Sequence, residues 1–585
     1  MEITNEPYKK ISNLQLINAI LYVAKNGVLE RVFYGLQKCD NLEHILITEK
    51  FFEKISEIYE RRDFMINRRN FIKGTVAGIL AAGAFDVTGL FPEQKVIAAE
   101  NLSVKTRYGT FNGFLDENGV RNWLGIPYAK PPIKNLRWQA PQKLNPTDKT
   151  FDAKNFGAAA VQVVDPTEDA NSYKNQSEDC LTLNIWKKSD KKNLPVMVFI
   201  HGGGFSVGGS VDSLYNGSNF AAENEIIIVT INYRLNVFGF MNFSEIDKNF
   251  SDSGYLGIKD QILALEWVKE NISEFGGNSE NITVFGQSAG SISTFLLTVT
   301  PAAKNLFQKA IPQSGNLKFY NIPEDSAQVA ENFLKKSGAK NVGELVKKST
   351  DEILNIYVKI SNGLAEFPSE FLPTCDGKFL PENPLQALKN GAARGIKILT
   401  GNVADEWRLW LQFDENFCEK YRTNTKKFSP IFSKYKEKTL DEVYKNWLKN
   451  RADDEENFIN FAIQADWRVS QEICAEYQSN FDDVYFYVFS HRVNEILRAC
   501  HDSDLPYVFD KIDGLPNASP NLVKIIQKSW AAFATTGNPD NEFIPHWEKY
   551  SADNRQTMEL NSKKCILHKD FNTENLNSLR YLYES

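Results

Sequence analysis

The chain has 585 residues, a formal net charge of −7, 42% apolar residues and 24% charged residues. This is ordinary globular composition, long enough for one large domain with appendages. No long basic run offers a nucleic-acid surface, and no apolar stretch reaches the ~18 residues that would span a bilayer.

Three parts follow one another along the chain. Residues 1–64 are rich in Lys, Glu and Leu with helical spacing, as in Leu14-Gln-Leu-Ile-Asn-Ala-Ile-Leu-Tyr-Val-Ala24. Stretches within it, around Ser12–Asn26 and Asn26–Phe33, resemble the helical N-terminal region of insertion-sequence transposases, as if two pieces had been joined by a deletion. The segment is short and lacks a dense basic face, so it reads as a non-functional helical remnant and not as a DNA-binding module.

The second part, 65–99, has the layout of an export signal. Arg68-Arg69-Asn70-Phe71-Ile72-Lys73 is a positively charged n-region with the twin-arginine pattern. The apolar run Gly74–Phe85 is only 12 residues, which suits an h-region and is too short for a membrane helix. Val96-Ile97-Ala98-Ala99 supplies small residues for a signal peptidase.

The third part, 100–585, alternates strand and helix patterns. Val196–Ile200 and Ile226–Ile231 are continuous apolar runs of the kind found in buried parallel strands. Gln261–Ile272 has apolar residues at helical spacing and is closed by Phe275-Gly276-Gly277-Asn278. Ile282–Phe285 is a short strand that leads into Gly286-Gln287-Ser288-Ala289-Gly290 and a helix-forming run, Ser291–Leu297. Ile396–Thr400 and Val484–Phe489 are strand-like, and Leu522–Phe533 reads as a late helix. The alternation predicts an α/β fold, a mostly parallel sheet with helices on both faces. Seven cysteines are scattered without a CxxC pair, and there is no HExxH, so neither a zinc site nor a redox dithiol is expected.

A G-x-S-x-G between a strand and a helix is the pattern of a nucleophile elbow. Its serine takes a strained backbone conformation that lifts the hydroxyl clear of the sheet. The residues two before and two after then approach too closely for a Cβ, which accounts for Gly286 and Gly290. An acylated serine also needs fixed donors for developing negative charge. Backbone N–H groups do this best, because they are in place before reaction and cannot ionise. His201-Gly202-Gly203-Gly204-Phe205 follows a buried strand and presents such groups. The expected oxyanion donors are Gly203, Gly204 and Ala289.

With these motifs in hand, the chain resembles the type-B carboxylesterase family, which includes bacterial carboxylesterases, cholinesterases and bile-salt lipases. Ordered blocks carry the resemblance: Gly125-Ile-Pro-Tyr-Ala129, Ser177-Glu-Asp-Cys-Leu-Thr-Leu-Asn184, His201–Phe205, Asn232-Tyr-Arg-Leu235, Phe285–Gly290, Ile311-Pro-Gln-Ser-Gly315 and Gly537-Asn-Pro539. The resemblance implies an α/β-hydrolase fold and serine esterase chemistry on small-molecule carboxylic esters. No metal or organic cofactor is implied, and no nucleic-acid partner for this domain. It assigns Ser288 as nucleophile, Glu406 as the triad acid with Asp405 as the weaker alternative, and His501 as base. Of six histidines, His44 lies in the extension, His201 in the oxyanion loop, and His546 and His568 outside the expected site, while His491 suits a surface or structural role. The resemblance also implies structural ion pairs Arg137–Glu178 and Arg234–Asp260. Phe205, Trp407 and Trp410 adjoin the assigned positions and are either pocket walls or ordinary core aromatics.

Two departures from the family pattern matter. Phe156-Gly-Ala-Ala-Ala-Val-Gln162 lacks the cysteine that often partners the one in the S-E-D-C-L block, so Cys180 is expected to be a small buried thiol. Phe156–Asp179 contains no tryptophan to receive a quaternary ammonium, which argues against a choline-ester specialist. Within the same chemistry the alternatives are a lipase or an esterase for a specialised aromatic ester or carbamate; outside it, a non-catalytic adhesion-type relative. A twin-arginine signal acts from an N-terminus, so translation is expected to start at Met65, with the esterase exported. N-terminal sequencing of the native protein tests this: a mature start near Ala99 or Glu100 is expected, whereas an intact Met1 would mean a cytoplasmic enzyme with a vestigial signal.

Overall fold

The computed structural model describes residues 102–163, 172–360, 370–411, 416–423, 437–449, 451–571 and 579–580. The expectations for 1–64 and 65–99 lie outside the described residues. Two sheets are present. A small one joins β1 (Ser103–Thr106), β2 (Gly109–Asn112) and β5 (Thr150–Asp152).

The large sheet has 11 strands. Its parallel centre contains β7 (Leu194–Ile200), β8 (Ile227–Ile231), β9 (Gly277–Gln287), β10 (Lys309–Gln313), β11 (Lys397–Val403), β12 (Val484–Phe489) and β13 (Gln556–Leu560). Their spatial order is β13-β12-β11-β10-β9-β7-β8, and every neighbouring pair in that stretch is parallel. Antiparallel strands finish the edges: β14 (Ile566–Lys569) on one side, then β6 (Thr182–Lys187), β4 (Arg121–Pro127) and β3 (Phe114–Leu115) on the other.

The apolar runs have a direct cause. In β7, Val196, Val198 and Ile200 belong to the core on one face of the sheet, and Met197 and Phe199 to the core on the other. A strand covered on both faces has no polar side to show, so period-2 alternation disappears. Helix α1 (Leu256–Asn271) and helix α2 (Ala289–Val299) contribute Leu263 and Phe295 to the first core. Helix α3 (Pro520–Thr536) contributes Trp530 and Phe533 to the second. Its start has Pro520 in the first turn and the Ser519 side chain accepting from Leu522 N–H. Its end is Gly537 at φ 82, a left-handed cap that glycine occupies without strain.

One boundary differs from the sequence reading. β9 begins at Gly277 and not near Ile282, because its polar first half pairs with the start of β7, with Leu194 opposite Gly277. Backbone pairing extends the strand beyond the apolar residues that announce it.

Both expected ion pairs are present and bidentate. Arg137 donates to Glu178 at 2.7 and 2.6 Å, and also to the carbonyls of Val346 and Lys348. Arg234 donates to Asp260 at 2.8 and 2.7 Å, and to the Gln139 carbonyl. Asp260 also accepts from the Arg234 backbone N–H, so one carboxylate ties the loop after β8 to α1. Cys180 is a buried free thiol, as expected, and all six cysteines among the described residues are free.

Removing one partner of so completely buried a pair strands the other charge. Asp260→Ala is therefore expected to cost about 3–5 kcal/mol, measured as a lowered urea midpoint with an unchanged m-value.

Candidate active site

In open parallel sheets, functional groups gather beyond the carboxyl ends of the strands. Ser288 follows β9, Glu406 lies three residues beyond β11, and His501 is in the segment after β12. Because these strands are parallel, all three residues emerge at the same edge.

Ser288 has φ 57 and ψ −122, between the end of β9 and the first residue of α2. Few non-glycine residues tolerate this conformation. It is held from both sides: Ser288 N–H donates to the Gln313 carbonyl at 3.0 Å, and the Ser288 carbonyl accepts from Ile292 N–H at 2.9 Å. The flanking glycines behave as the sequence requires. A Cβ on Gly286 would collide with the Gly290 carbonyl, and one on Gly290 with the Ile200 carbonyl at the end of β7.

The loop 201–205 lies against this turn. A Cβ on Gly202 would stand 2.9 Å from Gln287 Oε1 and 3.2 Å from Ser288 Cβ. Gly203 and Gly204 have φ 99 and 59, and the Gly203 carbonyl accepts from Ser206 and Val207 N–H, curling the loop on itself. Among the described residues, the N–H groups of Gly203, Gly204 and Ala289 donate no hydrogen bond within the chain. His201 supports the loop. Its ring stacks on Tyr233 at 4.4 Å, and its Nδ1 lies 2.9 Å from the Gly202 carbonyl. Burial pushes its pKa down to about 4 despite that hydrogen bond, so it is a neutral buttress.

Glu406 is fully buried. Its Oε2 lies 2.5 Å from His501 Nδ1, its Oε1 accepts from Val403 N–H at 3.2 Å, and its backbone carbonyl accepts from His501 N–H at 3.2 Å. The weaker alternative, Asp405, does not meet the imidazole. It accepts from Ala499 N–H and pairs with Arg408 at 3.4 Å and Arg498 at 3.7 Å, fastening the turn that carries His501.

His501 is buried, and its Nε2 edge faces Gln287 Nε2 at 3.1 Å and Asp502 Oδ1 at 3.7 Å. Ser288 Oγ makes no hydrogen bond to the ring; such bonds tighten when a ligand is bound. Burial opposes protonation of His501, but the carboxylates of Asp502 and Glu406 outweigh it, and its pKa lies above the ordinary 6.5.

Of the three neighbouring aromatics, two are core. Phe205 packs edge-on to Phe240, and Trp407 donates to Asp466 at 3.1 Å. Trp410 does border the site, 5.0 Å from the His501 ring. Trp467, on the other contact at 4.7 Å, went unnoticed in the sequence. It projects from a π-helical turn, Gln464–Arg468, that apolar periodicity does not reveal. His491 is structural, bonded to the Asn517 carbonyl and Ser562. No group of side chains among the described residues could hold a metal ion.

Comparison with known proteins follows the same lines. A family model described as the carboxylesterase family matches residues 100–579. Para-nitrobenzyl esterase of Bacillus subtilis (strain 168) is 36% identical over 489 residues, which is 79% of this chain and 95% of that protein. The medium-chain fatty acyl-CoA hydrolase precursor of Anas platyrhynchos is 32% identical over 504 residues, 78% of this chain and 88% of its own. A thermophilic PNB esterase of known structure matches with a TM-score of 0.73 at 34% identity, over 82% of this chain and 100% of that one. A carboxylesterase from Geobacillus stearothermophilus, solved at pH 6.2, gives 0.70 at 30% identity, over 82% and 99%.

Gly290→Ala is expected to destabilise the fold by about 1–3 kcal/mol, because neither the elbow nor β7 can yield without losing its pairing. A thermal or urea melt checks it against Gly209→Ala, whose backbone is not left-handed and whose added Cβ meets only ordinary contacts of 3.4 Å and longer.

Proposed function

The chain belongs to the carboxylesterase family, and on that premise we propose that it hydrolyses carboxylic esters through an acyl-enzyme on Ser288, with His501 as base and Glu406 as its acid partner. The enzyme class, a serine hydrolase acting on ester bonds, comes with the family. The assignment of residues is our reading, and the observation that carries it is the 2.5 Å contact between Glu406 and His501 beside a strained, glycine-flanked serine.

The chemistry follows from the geometry. Glu406 accepts from Nδ1–H and so makes Nε2 the basic nitrogen of His501; the Gln287 amide that meets it at 3.1 Å must give way as the ring takes the proton of Ser288. As Ser288 Oγ attacks the ester carbonyl, its proton passes to Nε2, and the new oxyanion is met by the N–H groups of Gly203, Gly204 and Ala289. The imidazolium then protonates the leaving alcohol as its bond to the acyl carbon breaks. Water repeats the sequence on the acyl-enzyme, with His501 as base again. Burial of Glu406 keeps its carboxylate from exchanging His501 for water.

Substrates are small to medium carboxylic esters. The half-buried Trp410 and the buried Trp467 give the base an apolar wall, which suits an uncharged acyl or alcohol group.

A panel of 4-nitrophenyl esters from acetate to palmitate, run on wild type and Ser288→Ala, tests the reading. The variant is expected to lose at least about 10⁴-fold in kcat, and wild type to fall off beyond about ten acyl carbons. Rates that rise with longer chains at an oil interface would replace the small-ester reading with a lipase. Failure of a fluorophosphonate to label Ser288 in folded protein would sink the triad.

A further inference from the structure

His501 has an acidic neighbour on each side. Glu406 occupies the Nδ1 edge; Asp502 Oδ1 stands 3.7 Å from Nε2, the edge that exchanges protons with the nucleophile and leaving group. That separation is too long for a hydrogen bond and becomes an ion-pair contact when the ring is protonated.

Asp502 takes φ 71, a left-handed conformation. Aspartate commonly enters this region when its side chain bonds nearby backbone. Asp502 makes no such bond. Its Oδ1 is buried without a hydrogen-bond partner, while its side chain as a whole is 46% exposed. A turn residue chosen for its backbone alone would not need a carboxylate here. The orientation toward His501 is what remains to be explained.

We propose that Asp502 is a positioning residue of this esterase: from the Nε2 edge of His501 it stabilises the imidazolium and disfavours esters whose alcohol portion is anionic. The proposal rests on the triad reading above. During acylation the proton leaves Ser288 Oγ for Nε2, and a positive ring lies between two carboxylates. The proton then moves to the alcohol oxygen, which must come within hydrogen-bond distance of Nε2 and hence within a few ångströms of Asp502. A negative substituent there meets uncompensated repulsion.

Of the other charged groups around His501, Asp504 also favours the protonated ring but contributes less than Asp502 and Glu406. Asp504 is turned away, accepting from Gln313 at 2.9 Å and Tyr487 at 3.1 Å. Asp405 is committed to Arg408 and Arg498, and those arginines also meet Glu456. Arg468, beside Trp467, is paired with Glu472 at 4.0 Å. The Cys500 thiol is pushed up to about 12 by burial and stays neutral. Gln287 contributes a neutral amide.

The sign of the pH effect follows. His501 must be neutral to act as base, and Asp502 favours the protonated ring. Removing its charge moves the acidic limb of the kcat/KM profile to lower pH.

Asp502→Asn keeps the shape and tolerates the left-handed backbone; Asp502→Gly removes the side chain and relaxes that backbone. With 4-nitrophenyl butyrate, the acidic limb of both variants is expected to move down by about 0.5–1 in pH, a shift reduced by the exposure of Asp502. Activity at the foot of the limb, relative to each enzyme's own plateau, then rises about 3–10-fold. With phenyl butyrates bearing a ring carboxylate or no charge, the anionic-to-neutral ratio of kcat/KM is expected to rise several-fold in both variants. In wild type, added salt should raise the same ratio through screening. Fluorophosphonate labelling of Ser288 in each protein separates the two readings. Labelled, active variants with an unmoved limb and an unmoved ratio overturn the role of Asp502 and leave the triad standing, whereas unlabelled wild type overturns the triad itself.

Discussion

Everything at the site depends on how closely the elbow is pressed against β7. The Gly290 backbone meets the Ile200 carbonyl, and Gly286 meets Gly290, at distances that admit no side chain. This contact goes with the positive φ of Ser288, orients α2, and sets the loop 201–205, which leaves the same strand one residue later, against Ser288. Strand pairing provides the force. β7 is bonded on both sides, to β8 and β9, and its side chains fill two cores, so it cannot retreat.

Buried charge is held as tightly as the elbow. Asp260, Glu406, Asp466 and Asp504 are all essentially inaccessible, and each accepts at least two hydrogen bonds, those of Asp504 both on Oδ2. Asp466 accepts from Trp407 and Tyr421, and its carbonyl from Asn316, which anchors the π-helical turn bearing Trp467. A carboxylate so bonded fixes the elements around it as firmly as apolar packing does, and it adds direction. The carboxylate of Glu406, held against His501, is one member of this series. Asp502 stands apart from it, a carboxylate near a charge-bearing ring with the Gln287 amide beside it and its Oδ1 unpartnered.

Much of this was legible in the sequence. The apolar runs marked β7, β8, β11 and β12 because double-sided burial leaves an unmistakable composition, and the glycines of the elbow marked the turn because only steric exclusion requires both. The histidine and its acid came from motif resemblance, and their local contexts are those the folded chain brings together. Trp467 was not legible. With aromatics at 12% of the chain, an isolated tryptophan carries little information, and a π-helical turn breaks the 3.6-residue period that would have placed it. Gln287 and Asp502 were in plain view beside Ser288 and His501. Their relevance arises only when the two segments, more than 200 residues apart, meet across the Nε2 edge.

The free thiols carry a consequence of a different kind. Cys180, Cys375, Cys474, Cys500 and Cys565 are buried, and desolvation raises the pKa of Cys180, Cys474, Cys500 and Cys565, holding those sulfurs protonated and chemically quiet. They serve as hydrocarbon filler. A catalytic domain stapled by disulfides must wait for an oxidant before it is whole. This one closes its described core with packing and ion pairs, so its maturation is indifferent to the electron balance of its surroundings.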